Sequence, residues 1–303
     1  MVDTALSPLV RVTAPAKVNM YLHVVGRRPD GFHELDSLVM FATVGDVLTV
    51  VDAPRRRVPV LGLVGLFASD LSAEPPDSNL VIKAALGLAA LLGRVPALDI
   101  VLTKMLPVAS GIGGGSADAA ACLRALCKLW RVSLSKEVLQ ALALKLGADV
   151  PVCLEGRAAY LGGIGGRLDP APFLPECPAL LVNPRVPVPT PAVFRARSGP
   201  FSRVARLKAP PRTVQAFAAE LTARRNDLTA PAVALAPVIA TVLAALDATA
   251  GCLLARLSGS GATCYALYPD DETAAAAAAA LASGHHGWWI RPCRLLSCTD
   301  ATL

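Results

Sequence analysis

Aromatic residues make up only 5% of this 303-residue chain and charged residues 17%, against 54% hydrophobic. That balance excludes a disordered protein and supplies enough apolar side chains for a large core, in two domains rather than one. Scarce rings also speak against a nucleic-acid reader, which needs stacking platforms. The net charge of +6 does not reverse this, because arginine outnumbers lysine about threefold and the basic residues are scattered. Short groups such as Arg55-Arg56-Arg57 and Arg224-Arg225 read as solvated surface. The eight cysteines form no Cys-x-x-Cys pair, and Cys122, Cys127, Cys153, Cys252 and Cys264 sit in apolar runs, the pattern of buried thiols in a reducing compartment. The longest apolar stretch, Ala230 to Leu246, is interrupted by Pro231, Pro237 and Thr241. Met1 to Val12 carries Asp3 and no basic-then-apolar targeting pattern. The expectation is a cytoplasmic protein with no membrane and no nucleic-acid partner, a monomer or weak homodimer. No repeat of fixed period is found.

Glycine, by contrast, is concentrated. The stretch Pro107-Val108-Ala109-Ser110-Gly111-Ile112-Gly113-Gly114-Gly115-Ser116-Ala117 follows a strand-like run, Leu98 to Leu102, and precedes Ala119, Leu123, Leu126 and Trp130 at helical spacing. Glycines between a strand and a helix let backbone N–H groups approach an anion, and the helix start adds a partial positive charge. It is not a Walker loop, since Ser116 and Ala117 stand where Lys and Ser or Thr are needed; nor is it a dinucleotide fingerprint, which requires Gly at 116. By spacing alone it is equally a tight turn with Ser116 as helix N-cap.

Around it, Val10 to Ala14 reads as a short strand and Val18 to Val25 as a second, with Asn19, Tyr21 and His23 on one face and Lys17 at its start. Lys136 to Leu146 reads as a helix ended by Gly147, and Asp149-Val150-Pro151-Val152 as the entry to a strand. Gly162 to Gly166 reads as a hairpin or loop. Prolines from Pro170 to Pro191 mark a domain boundary, and a small α+β domain follows: helices at Thr213 to Arg224, Pro237 to Asp247 and Asp271 to Ser283, strands at Ala179 to Asn183, Leu253 to Leu257 and Thr263 to Tyr268. The alanine run 274–280 belongs to a helix and not a linker. By residue type alone Lys17 is a surface lysine, His33 a loop histidine and Asp149 a turn or capping residue.

The glycine stretch nevertheless resembles the signature loop of the GHMP small-molecule kinases. Pro15-Ala16-Lys17-Val18-Asn19, then Gly26-Arg27-Arg28-Pro29-Asp30-Gly31-Phe32-His33-Glu34-Leu35, resembles the opening of the branch acting on a cytidine-diphosphate-linked alcohol of the non-mevalonate isoprenoid pathway. Further blocks keep that order: Asp77-Ser78-Asn79-Leu80, Leu146 to Val152, Pro189 to Phe194, Asn226-Asp227-Leu228 and Arg256 to Ala262. The resemblance implies an α+β, two-domain fold: residues 1–168 like ribosomal protein S5 domain 2, residues 169–303 a ferredoxin-like α+β domain, the active site in the cleft between them. It implies transfer of phosphate from ATP, with Mg²⁺, to the 2-hydroxyl of 4-diphosphocytidyl-2-C-methyl-D-erythritol. It further implies Lys17 and Asp149 as catalytic residues and Pro107 to Ala117 with Asn79 and Lys104 for ATP. Ser116 would touch phosphate or metal, and Asn19, Phe32, His33, Thr190 and Phe194 the acceptor. Two departures stand out: Phe32 where Tyr is common, and Val108-Ala109-Ser110 where glycines often stand.

Overall fold

The computed structural model describes residues 9–72 and 75–299; most of the opening segment examined for targeting lies outside them. The chain enters through two long antiparallel strands, β1 (Leu9–Arg27) and β2 (His33–Asp52), followed by β3 (Val60–Val64) and the short helix α1 (Ala68–Ser72). Next come α2 (Leu80–Leu91), β4 (Leu98–Thr103), α3 (Gly114–Leu129), α4 (Lys136–Leu146), α5 (Val150–Glu155) and the hairpin of β5 (Ala159–Gly163) and β6 (Arg167–Pro170). The remainder holds β7 (Cys177–Asn183), α6 (Thr190–Ala196), α7 (Val214–Thr222), α8 (Thr229–Leu235), α9 (Val238–Asp247), β8 (Leu254–Leu257), β9 (Cys264–Leu267), α10 (Asp271–Gly284) and β10 (Trp289–Leu296). Among the described residues ten strands join one sheet, in which β10 pairs with both β2 and β7 and so stitches the two halves together. The expected division after residue 168 falls inside β6, and we propose it as a boundary of packing layers that the sheet itself crosses.

Most expected elements stand, with several corrections. The two opening strands are one, β1, with register shifts on either side of Lys17 and Asn19; such bulges re-aim side chains without ending a strand. Its polar face is not solvated: Asn19, Tyr21 and His23 are as buried as their apolar neighbours. The segment after Asp149 is a helix, not a strand. Pro151 sits in the first turn of α5, where its missing N–H costs nothing, and all of Val150 to Leu154 is buried. Helix α3 starts at Gly114, with Gly113 in the left-handed conformation (φ +65°) as its N-cap in place of Ser116. The alanine run is helical, and Asp270 caps α10 by accepting a bond from the Thr273 N–H at 2.8 Å.

Three cores follow from the layers. Alanines of α3 at 117 and 119–121, with no side chain beyond Cβ, let that helix lie close under β1 and β2, and α2 packs beside it through Ala84, Ala85 and Leu88. On the other side of the sheet, Tyr21, Met40, Phe217, Tyr265 and Trp289 join the two halves. The third core sets α8, α9 and α10 against β7 and β9. Among the described residues no helix is long and apolar enough to cross a membrane.

Candidate active site

The glycine loop is held from both ends and from across the molecule. At its entry, Asp46 Oδ1 accepts from the N–H groups of Met105 (2.5 Å) and Leu106 (2.9 Å). At its middle, the Lys17 N–H of β1 donates to the Ile112 carbonyl at 2.9 Å. Opposite lies a second turn, Ser258 to Ala262: Ser258 Oγ donates to the Gly111 carbonyl at 2.9 Å and the Thr263 N–H to the Ser110 carbonyl at 3.0 Å. Only glycine fits at Gly111, whose φ is +77° and whose added Cβ would stand 2.7 Å from Gly261 N. Ala109 adopts φ +48°, a conformation L-residues enter at a cost of roughly 1–2 kcal/mol, which explains why glycines suit that part of the loop.

Lys17 and Asp149 meet under this loop. Lys17 Nζ lies 2.9 Å from Asp149 Oδ2 and donates to Asn19 Oδ1 at 3.0 Å, while Asn19 Nδ2 donates to Ser37 Oγ at 2.8 Å. The ammonium is nearly buried, 5% exposed, while the carboxylate is 35% exposed and opens to the cavity. Thus one oxygen of Asp149 is oriented by a fixed cation and the group remains reachable by a ligand. Gly113 stacks directly on Lys17, since a Cβ there would fall 3.1 Å from Lys17 Cε.

A cavity of about 420 Å³ is lined by Lys17, Asn19, Asp149, Gly113 to Ser116, Thr190 and Phe194. It shares Leu35, Ile164, Thr190 and Phe194 with a recess of about 460 Å³ that also holds Phe32 and His33. On its other side it shares Leu80, Ala109, Gly114 and Gly115 with a pocket of about 190 Å³ lined by Asn79, Lys104, Pro107 and Val108. The residues expected to take nucleotide, to react and to take the acceptor therefore line three adjoining spaces in that order. Ile112 and Ala117 are buried, as backbone-anchoring members of the loop, and Ser110 Oγ donates to the Pro107 carbonyl at 2.6 Å.

Two expected contacts have other partners here. Asn79 caps α2, its Oδ1 accepting from the Val81 N–H at 2.9 Å. Lys104 is 2% exposed, with Nζ 2.5 Å from Asp46 Oδ2 and 2.8 Å from Asp118 Oδ2. Burial opposes the Lys104 charge, but the two carboxylates outweigh it and hold its pKa above the ordinary lysine value. Burial pushes the Asp118 carboxyl up to about 7 against the pull of Lys104. Removing this ammonium would leave two buried carboxylates facing each other, so Lys104→Met is expected to cost about 3–5 kcal/mol of stability, read by urea unfolding. A loss confined to ATP affinity, with unfolding unchanged, would overturn that structural role.

In the recess of about 460 Å³ Phe194 faces His33, ring centroids 5.3 Å apart and planes at 25°, and Phe32 is 61% exposed. Burial, then Arg27 and Arg197, lower the pKa of His33, which favours the neutral ring. Thr190 begins α6, which carries Phe194 one turn later, and its Oγ1 lies 2.7 Å from Ser260 Oγ. Gly259 and Ser260 line the central cavity and were given no role by sequence. The signal for them was the Arg256 to Ala262 block, which marked resemblance without revealing that it folds onto the glycine loop.

A strand–glycine loop–helix cradle faces a lysine–aspartate pair whose lysine is buried and whose carboxylate is open to the cavity, and the fold around it is shared with a homoserine kinase from Cytophaga hutchinsonii (TM-score 0.71, 20% identity, 99% of both chains). The pattern of the GHMP kinases N terminal domain matches residues 79–157 and that of the GHMP kinases C terminal domain residues 210–286. The chain is 53% identical to the 4-diphosphocytidyl-2-C-methyl-D-erythritol kinase of Paramagnetospirillum magneticum over 94% of its length and 98% of that protein. It is 50% identical to the same kinase of Gluconacetobacter diazotrophicus over 96% of each. A crystal structure of a 4-(cytidine 5'-diphospho)-2C-methyl-D-erythritol kinase superposes with a TM-score of 0.75 at 34% identity, covering 94% of this chain and 99% of that one. The chain belongs to the 4-diphosphocytidyl-2-C-methyl-D-erythritol kinase family, within the GHMP kinases.

Proposed function

We infer that this chain transfers the γ-phosphoryl group of ATP to the 2-hydroxyl of 4-diphosphocytidyl-2-C-methyl-D-erythritol. The observation that carries the reading is the Lys17–Asp149 pair, 2.9 Å apart, facing the glycine loop across a cavity that runs on into the Phe32, His33 and Phe194 recess. Phosphoryl transfer asks a protein chiefly for positioning and charge stabilisation. The loop N–H groups hold the triphosphate, Asp149 takes the proton of the attacking hydroxyl, and Lys17 stabilises charge growing on that oxygen. The new bond joins the acceptor oxygen to the γ-phosphorus, the bond from that phosphorus to the β–γ bridging oxygen breaks, and ADP leaves.

Among the described residues no group of three metal-ligating side chains is present. Ser116 Oγ would help hold Mg²⁺ together with the triphosphate, and the ion would neutralise phosphate charge there. Asn79 and Lys104 remain our proposed walls of the nucleotide pocket, and Asn19 and Thr190 our proposed acceptor contacts. All eight cysteines are free thiols, in keeping with a proposed cytoplasmic location.

The reading is tested by ADP release with a panel of alcohols; preference for mevalonate or homoserine would replace it with a neighbouring GHMP activity. A second measurement isolates the loop. Gly113→Val forces a β-branched side chain into the left-handed region and onto Lys17 Cε, and is expected to raise the KM for ATP about tenfold or more while the KM for the alcohol changes far less. Equal losses for both substrates would show the loop to be a turn with no phosphate role.

A further inference from the structure

Strand β3 closes one end of the sheet: among the described residues it hydrogen-bonds only to β4, in parallel. No described strand pairs with its other edge, and an unpaired edge is a template for another strand. The outward side chains of this stretch are apolar without interruption. Val58 is 62% exposed, Val60 41%, Val64 48% and Leu66 45%, while Leu61 and Leu63 turn inward to the core. Proteins commonly blunt such edges with lysine or glutamate; between Val58 and Leu66 there is no charge, and Pro59 is the one blunting residue. At the centre stands Gly62. Its φ does not call for glycine and a Cβ there would meet nothing closer than 3.8 Å, so this chain alone does not require it. A glycine inside a strand marks a place where another backbone comes close.

The sequence across that edge is a palindrome, Val60-Leu61-Gly62-Leu63-Val64. In an antiparallel pair, residues equidistant from the centre stand opposite each other. A second copy turned about a two-fold axis at Gly62 would set its own Val64 against Val60, so the exposed apolar residues of the strand meet one another. We propose that β3 is a self-association edge, pairing with β3 of a second copy of this chain to continue the sheet across the dimer.

Five residues a side is a small contact next to the area of about 1,200 Å² or more that stable interfaces bury, so the dimer should be concentration-dependent. Sedimentation equilibrium of the full chain between about 1 and 200 µM is expected to show a monomer–dimer equilibrium. The double variant Val60→Lys, Val64→Lys should be monomeric throughout that range, a loss of at least about a hundredfold in affinity, because residue 60 faces residue 64 and four lysines would meet. Val60→Glu, Val64→Glu should be monomeric too. Mixing the two variants should restore a dimer containing one chain of each, a result that a folding defect could not produce. These positions lie outside the catalytic cavity, so kinase activity and thermal unfolding serve as controls. A monomeric wild type at all concentrations, a dimer untouched by the lysines, or a mixture that stays monomeric would each overturn the proposal.

Discussion

Asp149→Asn should retain ATP binding and lose turnover by about 10²- to 10⁴-fold, the range a well-placed general base contributes. The amide keeps the shape of the carboxylate and its place above α5 but cannot accept the hydroxyl proton. Lys17 would keep its bond to Asn19 Oδ1, so the cation stays under the loop and the phosphate cradle, built from backbone held by Asp46, Lys17 and Ser258, is undisturbed. The loss should therefore appear in kcat, with the KM for ATP within a few-fold of wild type. Steady-state kinetics and equilibrium ATP titration separate the two. Turnover near wild type would show that the aspartate only orients the hydroxyl and that proton removal is not part of the barrier.

Much of this arrangement is local in sequence and was legible there. A strand, a glycine cluster and an alanine-rich helix in succession lay out the cradle within residues 98–130, although Asp46, Lys17 and Ser258 fix it from elsewhere. Lys136 to Leu146, with Ser135 as N-cap and Gly147 beyond its end, declares its own boundaries. Where signals conflict, burial decides. Val150-Pro151-Val152 has strand-like composition, yet the Cys153 N–H bonds to the Asp149 carbonyl and every residue from 150 to 154 is buried, so packing overrides propensity. What sequence does not carry is encounter at a distance. Ser258 meets Gly111 across 147 positions, and Lys104 finds Asp46 and Asp118 on different elements; no periodicity encodes either. The same holds for Asp149 beside Lys17, which residue type alone would leave as a turn aspartate and a surface lysine.

Removing the cytidine should cost the acceptor on the order of 10²-fold or more in kcat/KM, even though 2-C-methyl-D-erythritol 4-phosphate offers the same alcohol. Binding energy gathered at a base remote from the reacting hydroxyl is what would hold that hydroxyl between Lys17 and Asp149. Phe194 and Thr190 lie on one turn of α6 and border both the recess and the central cavity, so one element would position both the base and the hydroxyl. In the structure the Phe194 face is covered by His33 at 5.3 Å. Ring faces touch at about 3.5–4 Å, so a cytosine between these two rings needs a gap near twice that. A base stacked on Phe194 would have to take His33's place, and the displaced imidazole would then be free to hydrogen-bond its polar edge. Such a stack is worth roughly 1–3 kcal/mol, so Phe194→Ala should narrow the preference for the cytidine-bearing alcohol by about one to two factors of ten. The measurement is kcat/KM for both alcohols with both enzymes. If wild type treats the two alike, the recess does not read cytosine; if Phe194→Ala lowers both equally, the ring acts through α6 and not through the base.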